Sequence, residues 1–191
     1  GIRKTPSLRP QIYLSEKETF DAELAWGQPS KQIRILIAPG GSFDEKRWGD
    51  QRFIKLTQLI LEKTNHRICL IGGTEDEKRL QMNQFNGFPE RVTNLCGKLN
   101  LRESAAMTHA ADFVISNSSV AMHFAGAFSK PNLVLLGNCY ESAKQHFLQW
   151  GYSDSVILGK EVKSGIKKVP SPLVVFNTLL DLLAKHKKAP K

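Results

Sequence analysis

The sequence predicts a doubly wound α/β domain. Short apolar, β-branched runs alternate about five times with stretches of helical spacing, and each run halts at glycine, proline or small polar residues. Connections of a few residues between such units call for βαβ crossovers, a parallel sheet and helices on both faces. A chain of 191 residues can bury a real core, and 41% hydrophobic with 24% charged residues is ordinary for a globular domain.

The elements follow in order. Residues 1–30 are polar, with Pro6, Pro10 and Pro29 around a short strand, Gln11–Leu14, and a helix, Glu16–Trp26. They form a lead-in to a domain over 31–160. Ile33–Ala38 is a buried strand stopped by Pro39-Gly40-Gly41, and Phe53–Lys63 carries apolar residues at helical spacing. Arg67–Ile71 is a strand stopped by Gly72-Gly73, and Glu75–Phe85 is a helix with an acidic first turn, as the helix dipole favours. Thr93–Cys96 is a short strand, Leu101–Ala111 a helix, Asp112–Ser116 a strand and Ser119–Phe128 a helix. Leu133–Gly137 is the next strand, and Ile157-Leu158 a last edge strand. Residues 161–191 supply an amphipathic helix, Pro172–Lys185, and a basic tail.

The formal net charge is +9, part of it in Lys185-His186-Lys187-Lys188 and in the segment Lys160–Lys168. Charge alone fits a phosphate-rich ligand, an anionic membrane surface, nucleic acid or a solvated face. Nucleic acid ranks lowest, because the basic residues are dispersed and no aromatic residues interleave with them. No apolar run approaches the roughly 18 residues that span a bilayer, and no apolar stretch follows Gly1-Ile2-Arg3-Lys4, so a signal peptide is expected to be absent or already removed. Cys69, Cys96 and Cys139 lack CxxC spacing and read as reduced cysteines, not a disulfide frame or zinc site.

In a doubly wound sheet ligands sit beyond the carboxyl ends of the strands. At the first strand end, Gly40-Gly41-Ser42 with Lys46 could let a phosphate approach the backbone, or could be a plain tight turn. At the second, Glu75 and Asp76 could accept hydrogen bonds from ribose hydroxyls, or merely favour a helix N-terminus. Leu99, in the loop Gly97–Asn100, could pack on a base. The most suggestive end is Ser116-Asn117-Ser118-Ser119, small polar residues opening a helix that carries His123 one turn in. Free backbone N–H groups there suit a diphosphate. GxxxxGK[ST], GxGxxG, DxD, HExxH and GxSxG are all absent.

Taken in order, Pro39-Gly40-Gly41 with Lys46-Arg47-Trp48, Ile71-Gly72-Gly73, Asn94–Gly97 with Leu101, Val114–Asn117 through Met122–Ala125, Lys130-Pro131 and Leu136-Gly137 resemble the second half of glycosyltransferase family 9, the heptosyltransferases. The resemblance implies a Rossmann-like, C-terminal, donor-binding half of a GT-B fold. The implied reaction is an inverting, metal-independent sugar transfer in lipopolysaccharide core biosynthesis. The nucleotide-sugar, typically ADP-heptose, is a substrate, so no cofactor is implied. Carried over by position, Gly40, Gly41, Ser42 and Lys46 approach the diphosphate, Glu75 or Asp76 the ribose, and Leu99 the adenine. Ser118, Ser119, Val120 and His123 flank the phosphates, and Lys46 and His123 are the candidate catalytic residues. A separate N-terminal domain would hold the lipid A–core acceptor and the general base, so residues 1–191 alone are expected to bind without turnover. The implied location is cytoplasmic, with peripheral contact at the inner face of the bacterial inner membrane.

Two positions depart from the family. Ser118 stands where aspartate is usual and Val120 where glycine is usual. Serine still caps a helix, whereas valine adds a branched side chain where the backbone would approach phosphate. A scaffold that contacts anionic lipopolysaccharide or membrane, and half of a GT-B nucleotide-sugar epimerase, are the alternatives.

Overall fold

The computed structural model describes residues 9–27, 30–163 and 166–188. The expectations on Gly1–Lys4, Pro6, Pro29 and the basic side chains at 163, 167 and 186–188 lie outside these residues.

The elements in chain order are α1 (Glu16–Trp26), β1 (Arg34–Ala38), α2 (Asp50–Lys63), β2 (Arg67–Leu70), α3 (Thr74–Arg79), β3 (Val92–Asn94), α4 (Leu101–Ala110) and β4 (Phe113–Asn117). Next come α5 (Val120–Ala127), β5 (Asn132–Leu135), α6 (Ala143–Trp150), β6 (Ser155–Leu158), β7 (Glu161–Lys163), β8 (Ile166–Lys168) and α7 (Pro172–Lys188). Six parallel strands order as β3-β2-β1-β4-β5-β6, which is the Rossmann-like doubly wound arrangement expected. The order reverses between β1 and β4, where Ala38 pairs with Ser116.

Alternation explains why the strands read as continuous apolar runs. Ile35 and Ile37 of β1 point to one face, packing with Phe53, Leu56 and Ile60 of α2 and Val175 and Leu179 of α7. Leu36 and Ala38 point to the other, against Ala106 and Met107 of α4 and Ala121 and Ala125 of α5. Helix α1 joins that second layer: Ala22 and Trp26 are buried there, and the Trp26 indole donates to the Met107 carbonyl at 3.3 Å. Reciprocal capping boxes fix the starts of α1 (Ser15 with Glu18) and α4 (Asn100 with Glu103).

The structure corrects four local expectations. Residues 11–14 form no strand. The helix expected over 75–85 ends at Arg79, because Leu80 turns inward to 1% exposure and the Asn94 amide donates to its carbonyl at 2.5 Å; a short 3-10 turn, Met82–Phe85, follows. The hairpin β7–β8 was not anticipated in the segment read as a charge excess. Nor was α6, whose apolar residues Phe147, Leu148 and Trp150 stay exposed while its one buried residue is His146. A helix that buries a polar ring has no apolar stripe for periodicity to find.

Candidate functional site

Two cavities open beyond the carboxyl ends of the strands at the reversal point. The main cavity, about 630 Å³, lies between the Lys46 turn, the start of α5 and the inner side of α6. The second, about 320 Å³, lies under Gly40-Gly41 and Gly72-Gly73, with Leu99 and Phe124 in its wall. Ser119 and Val120 line both and form the partition between them.

The partition is the N-terminus of α5. Its N-cap, Ser119, makes no capping hydrogen bond with its side chain, and the Met122 N–H donates to the Ser119 carbonyl at 3.1 Å, so the hydroxyl and the Val120 and Ala121 N–H groups are left for a ligand. Opposite stands Lys46, half-buried and without an acidic partner among the described residues. Its turn, Asp44–Lys46, is docked on the end of β5. The Gly137 N–H donates to the Lys46 carbonyl at 3.3 Å, and the Cys139 N–H to the Glu45 carbonyl at 2.9 Å. A Cβ at Gly137 would collide with the carbonyls of Glu45 and Arg47, so only glycine lets the turn lie this close.

A single side chain ties these pieces together. Asn117, fully buried at the end of β4, accepts from the Trp48 N–H at 2.9 Å through Oδ1, and its Nδ2 donates to the carbonyls of Pro39 and Gly40. Trp48 in turn is anchored by its indole N–H to the Pro170 carbonyl at 2.8 Å and packs edge-on against Phe53.

Two imidazoles complete the main cavity. His123 has its Nδ1 2.9 Å from the Tyr152 hydroxyl. His146 is only 6% exposed, packs edge-on against Tyr140 with ring centroids 4.8 Å apart, and leaves Nε2 without a partner. Burial and then the Lys46 charge hold both rings below the ordinary imidazole value. The one carboxylate in the cavity wall, Glu141, pairs with Lys160 at 3.2 Å. The space is therefore lined by one free ammonium, two neutral imidazoles and a helix N-terminus, a lining suited to an anion. Cys139 also lies in this wall and is exposed, whereas Cys69 and Cys96 are buried.

Of the residues singled out in the sequence, Lys46, Ser118, Ser119, Val120 and His123 meet at the main cavity. Gly40, Gly41, Asp76, Leu99, Ser119 and Val120 line the second. Ser42 is exposed and lines neither. Glu75 is also remote, pairing with Lys78 at 2.6 Å on the surface. Asp76 is 6% exposed and already engaged: it accepts from the Gly73 N–H at 2.9 Å and pairs with Arg79 at 2.6 Å. Its carboxylate thus closes the turn between β2 and α3. His146, Ser142 and Gln145 were missed, because they arrive on the unanticipated α6.

The depressed imidazoles carry a stability signature. His109, lowered chiefly by burial, joins His123 and His146 in resisting a proton when folded, whereas each takes one up near the ordinary 6.5 when unfolded. Stability should therefore fall as pH drops from about 7.5 to 5.5, because the unfolded chain then binds more protons than the folded one, and Tm should fall with it. Glu18, held down to about 2 chiefly by its hydrogen bond from Arg102, titrates below this window. Thermal melts across it check the point; a flat or rising Tm would contradict it.

The fold and cavities define a Rossmann-like domain with an anion-suited cleft at its topological switch point. The family model described as glycosyltransferase family 9 (heptosyltransferase) matches residues 4–170, and the chain belongs to that family. It is 29% identical over 143 residues to lipooligosaccharide heptosyltransferase 2 of Haemophilus influenzae, covering 69% of this chain and 40% of that protein. To lipopolysaccharide heptosyltransferase 2 of Escherichia coli it is 25% identical over 147 residues, covering 72% and 42%. The chain thus spans about two fifths of the length of these relatives. In three dimensions it overlays the E. coli ADP-heptose lipopolysaccharide heptosyltransferase II with TM-score 0.74 at 21% identity, covering 97% of this chain and 56% of the other. A family 9 glycosyltransferase from Veillonella parvula overlays with TM-score 0.76, also at 21% identity, covering 97% and 57%. The expected GT-B half is therefore the fold observed. Among the described residues no helix is long and apolar enough to cross a membrane, and no group of three or more His, Cys, Asp or Glu side chains could hold a metal ion.

Proposed function

We propose that this chain is the donor-binding domain of a heptosyltransferase, holding a nucleotide-sugar, ADP-heptose foremost, by its diphosphate. The observation that carries the reading is the half-buried, unpaired Lys46 across a cavity from the uncapped start of α5. An ammonium and the two backbone N–H groups left at the helix start meet a diphosphate without the cost of pairing against each other. In this reading the diphosphate lies over Ser118-Ser119, the nucleoside reaches the second cavity toward Leu99, and the sugar faces α6.

The chemistry follows from charge. In an inverting displacement at the anomeric carbon, the diphosphate leaves as negative charge builds on it. Lys46 and the α5 dipole are aimed where that charge grows, and His123 adds a hydrogen bond. The attacking hydroxyl of a lipid A–core acceptor and the base that deprotonates it would come from a second domain, at the cytoplasmic face of the inner membrane. This reading places charge neutralisation on Lys46 and the helix N-terminus, so turnover would not require a divalent metal. It also has residues 1–191 bind without turning over.

Isothermal calorimetry with ADP, ADP-sugars and adenosine tests it. Saturable binding of ADP and ADP-sugar, weaker for adenosine, is expected; absence of binding by any adenine nucleotide would overturn the reading. Val120 favours one second reading, a domain that binds without supporting transfer. Its branched side chain is 48% exposed over the phosphate approach. Donor affinity with no transfer after a partner acceptor domain is supplied would select it.

A further inference from the structure

Arg9 of the lead-in segment packs against Tyr152, which in turn meets His123 of the main cavity. We propose that Tyr152 is a positioning residue for His123: it donates its hydroxyl proton to Nδ1, so that Nε2–H faces a ligand oxygen in the main cavity, and Arg9 holds Tyr152 in place. The inference rests on the nucleotide-sugar reading for its consequence, but not for its geometry.

The tyrosine is fixed from several sides. Its ring lies so close to α5 that a Cβ at Gly126 would collide with it, which accounts for a glycine inside a helix. The Arg9 guanidinium sits 5.9 Å from the centre of the ring. That guanidinium donates to the Gly126 carbonyl at 2.8 Å and to Ser153 Oγ at 2.5 Å, and it pairs with Asp154 at 2.6 Å. The Tyr152 hydroxyl then stands 2.9 Å from His123 Nδ1. The His123 ring makes edge-to-face contacts with Trp150 and Tyr152, with centroids 6.0 and 6.1 Å away.

The direction of the hydrogen bond follows from what each group has available. Among the described residues the Tyr152 hydroxyl has no other acceptor, so donation to Nδ1 is the arrangement that uses its proton. A neutral ring that accepts at Nδ1 carries its hydrogen on Nε2, the nitrogen left for the cavity. The surroundings agree. Burial and Lys46 keep the imidazole neutral, and burial raises the phenol above its ordinary value, so it keeps its proton. His123 then acts as a fixed neutral donor toward a phosphate or sugar oxygen, much as outer partners orient the imidazoles that ligate metals.

Long-range 1H–15N NMR on the full chain at about pH 7.5 reads the tautomer directly. His123 should show a bare Nδ1 and a protonated Nε2 without nucleotide; the reverse tautomer overturns the proposal. Tyr152→Phe should blur that preference into a mixture and weaken ADP binding about three- to tenfold, the effect of one hydrogen bond. Arg9→Ala should shift both readouts the same way by less, and it decides the matter if Tyr152→Phe does not fold. Unchanged His123 signals in a folded Tyr152→Phe overturn the proposal. Failure of the wild-type chain to bind ADP counts against the nucleotide reading alone, because the tautomer is measured without ligand.

Discussion

Lys46→Ala is expected to weaken ADP binding by about 10- to 100-fold while the folding transition stays where it is. A charge-assisted contact to a phosphate in a partly enclosed site contributes roughly 1.5–3 kcal/mol, which is that factor. The side chain makes no ion pair among the described residues, and its turn is held by backbone hydrogen bonds from Gly137 and Cys139 that alanine leaves intact. A second readout comes from the imidazoles. The Lys46 charge helps to depress both His123 and His146, so its removal should let both titrate closer to the ordinary value. Calorimetry and an NMR pH titration measure the two effects. Unaltered ADP affinity in a folded variant would show that the anion does not lie against Lys46.

Asn117→Ala should have the largest effect on stability. Its amide satisfies the Trp48 N–H and two loop carbonyls at once, in a position with no exposure. Alanine leaves those groups buried and unpaired, and a network of this kind costs about 2–4 kcal/mol to break, or roughly 5–15 °C in Tm. ADP affinity should fall as well, because Gly40 and the segment leading from Lys46 to Trp48 both lose their tie to β4. Urea unfolding followed by circular dichroism gives the number. A loss under about 1 kcal/mol would mean that the loops are held by other means. Asn117→Asp separates the parts: it keeps the acceptor for Trp48 but sets a carboxylate against two carbonyls, so it should fare no better.

Much of the fold was legible because its cause is local. Ile35-Leu36-Ile37-Ala38 fills two cores by alternation, and Gly40 or Gly72 stops a strand whatever the rest of the chain does. The position of the site was legible too, since a doubly wound sheet directs ligands to the ends of β1 and β4. What escaped depends on distant partners. Helix α6 buries only His146, so nothing in its spacing announced it. Asp76 read as a ribose acceptor or a helix-start acid; only the packing reveals the carboxylate turned back on Gly73 and Arg79. Tyr152 is 29 positions from His123, and no motif joins them. Residues 11–14 carry strand-like residues but find no sheet edge to pair with.

Cys139 gives the chain its own reporter. It is the exposed thiol in the wall of the main cavity, while Cys69 and Cys96 are sealed in the core, where burial pushes the Cys96 thiol up to about 12 and raises that of Cys69 as well. A maleimide dye added to the native protein should therefore attach at one place, beside the Lys46 turn. No cysteine need be engineered in or removed, and the occupancy of the cleft could be followed by fluorescence in real time.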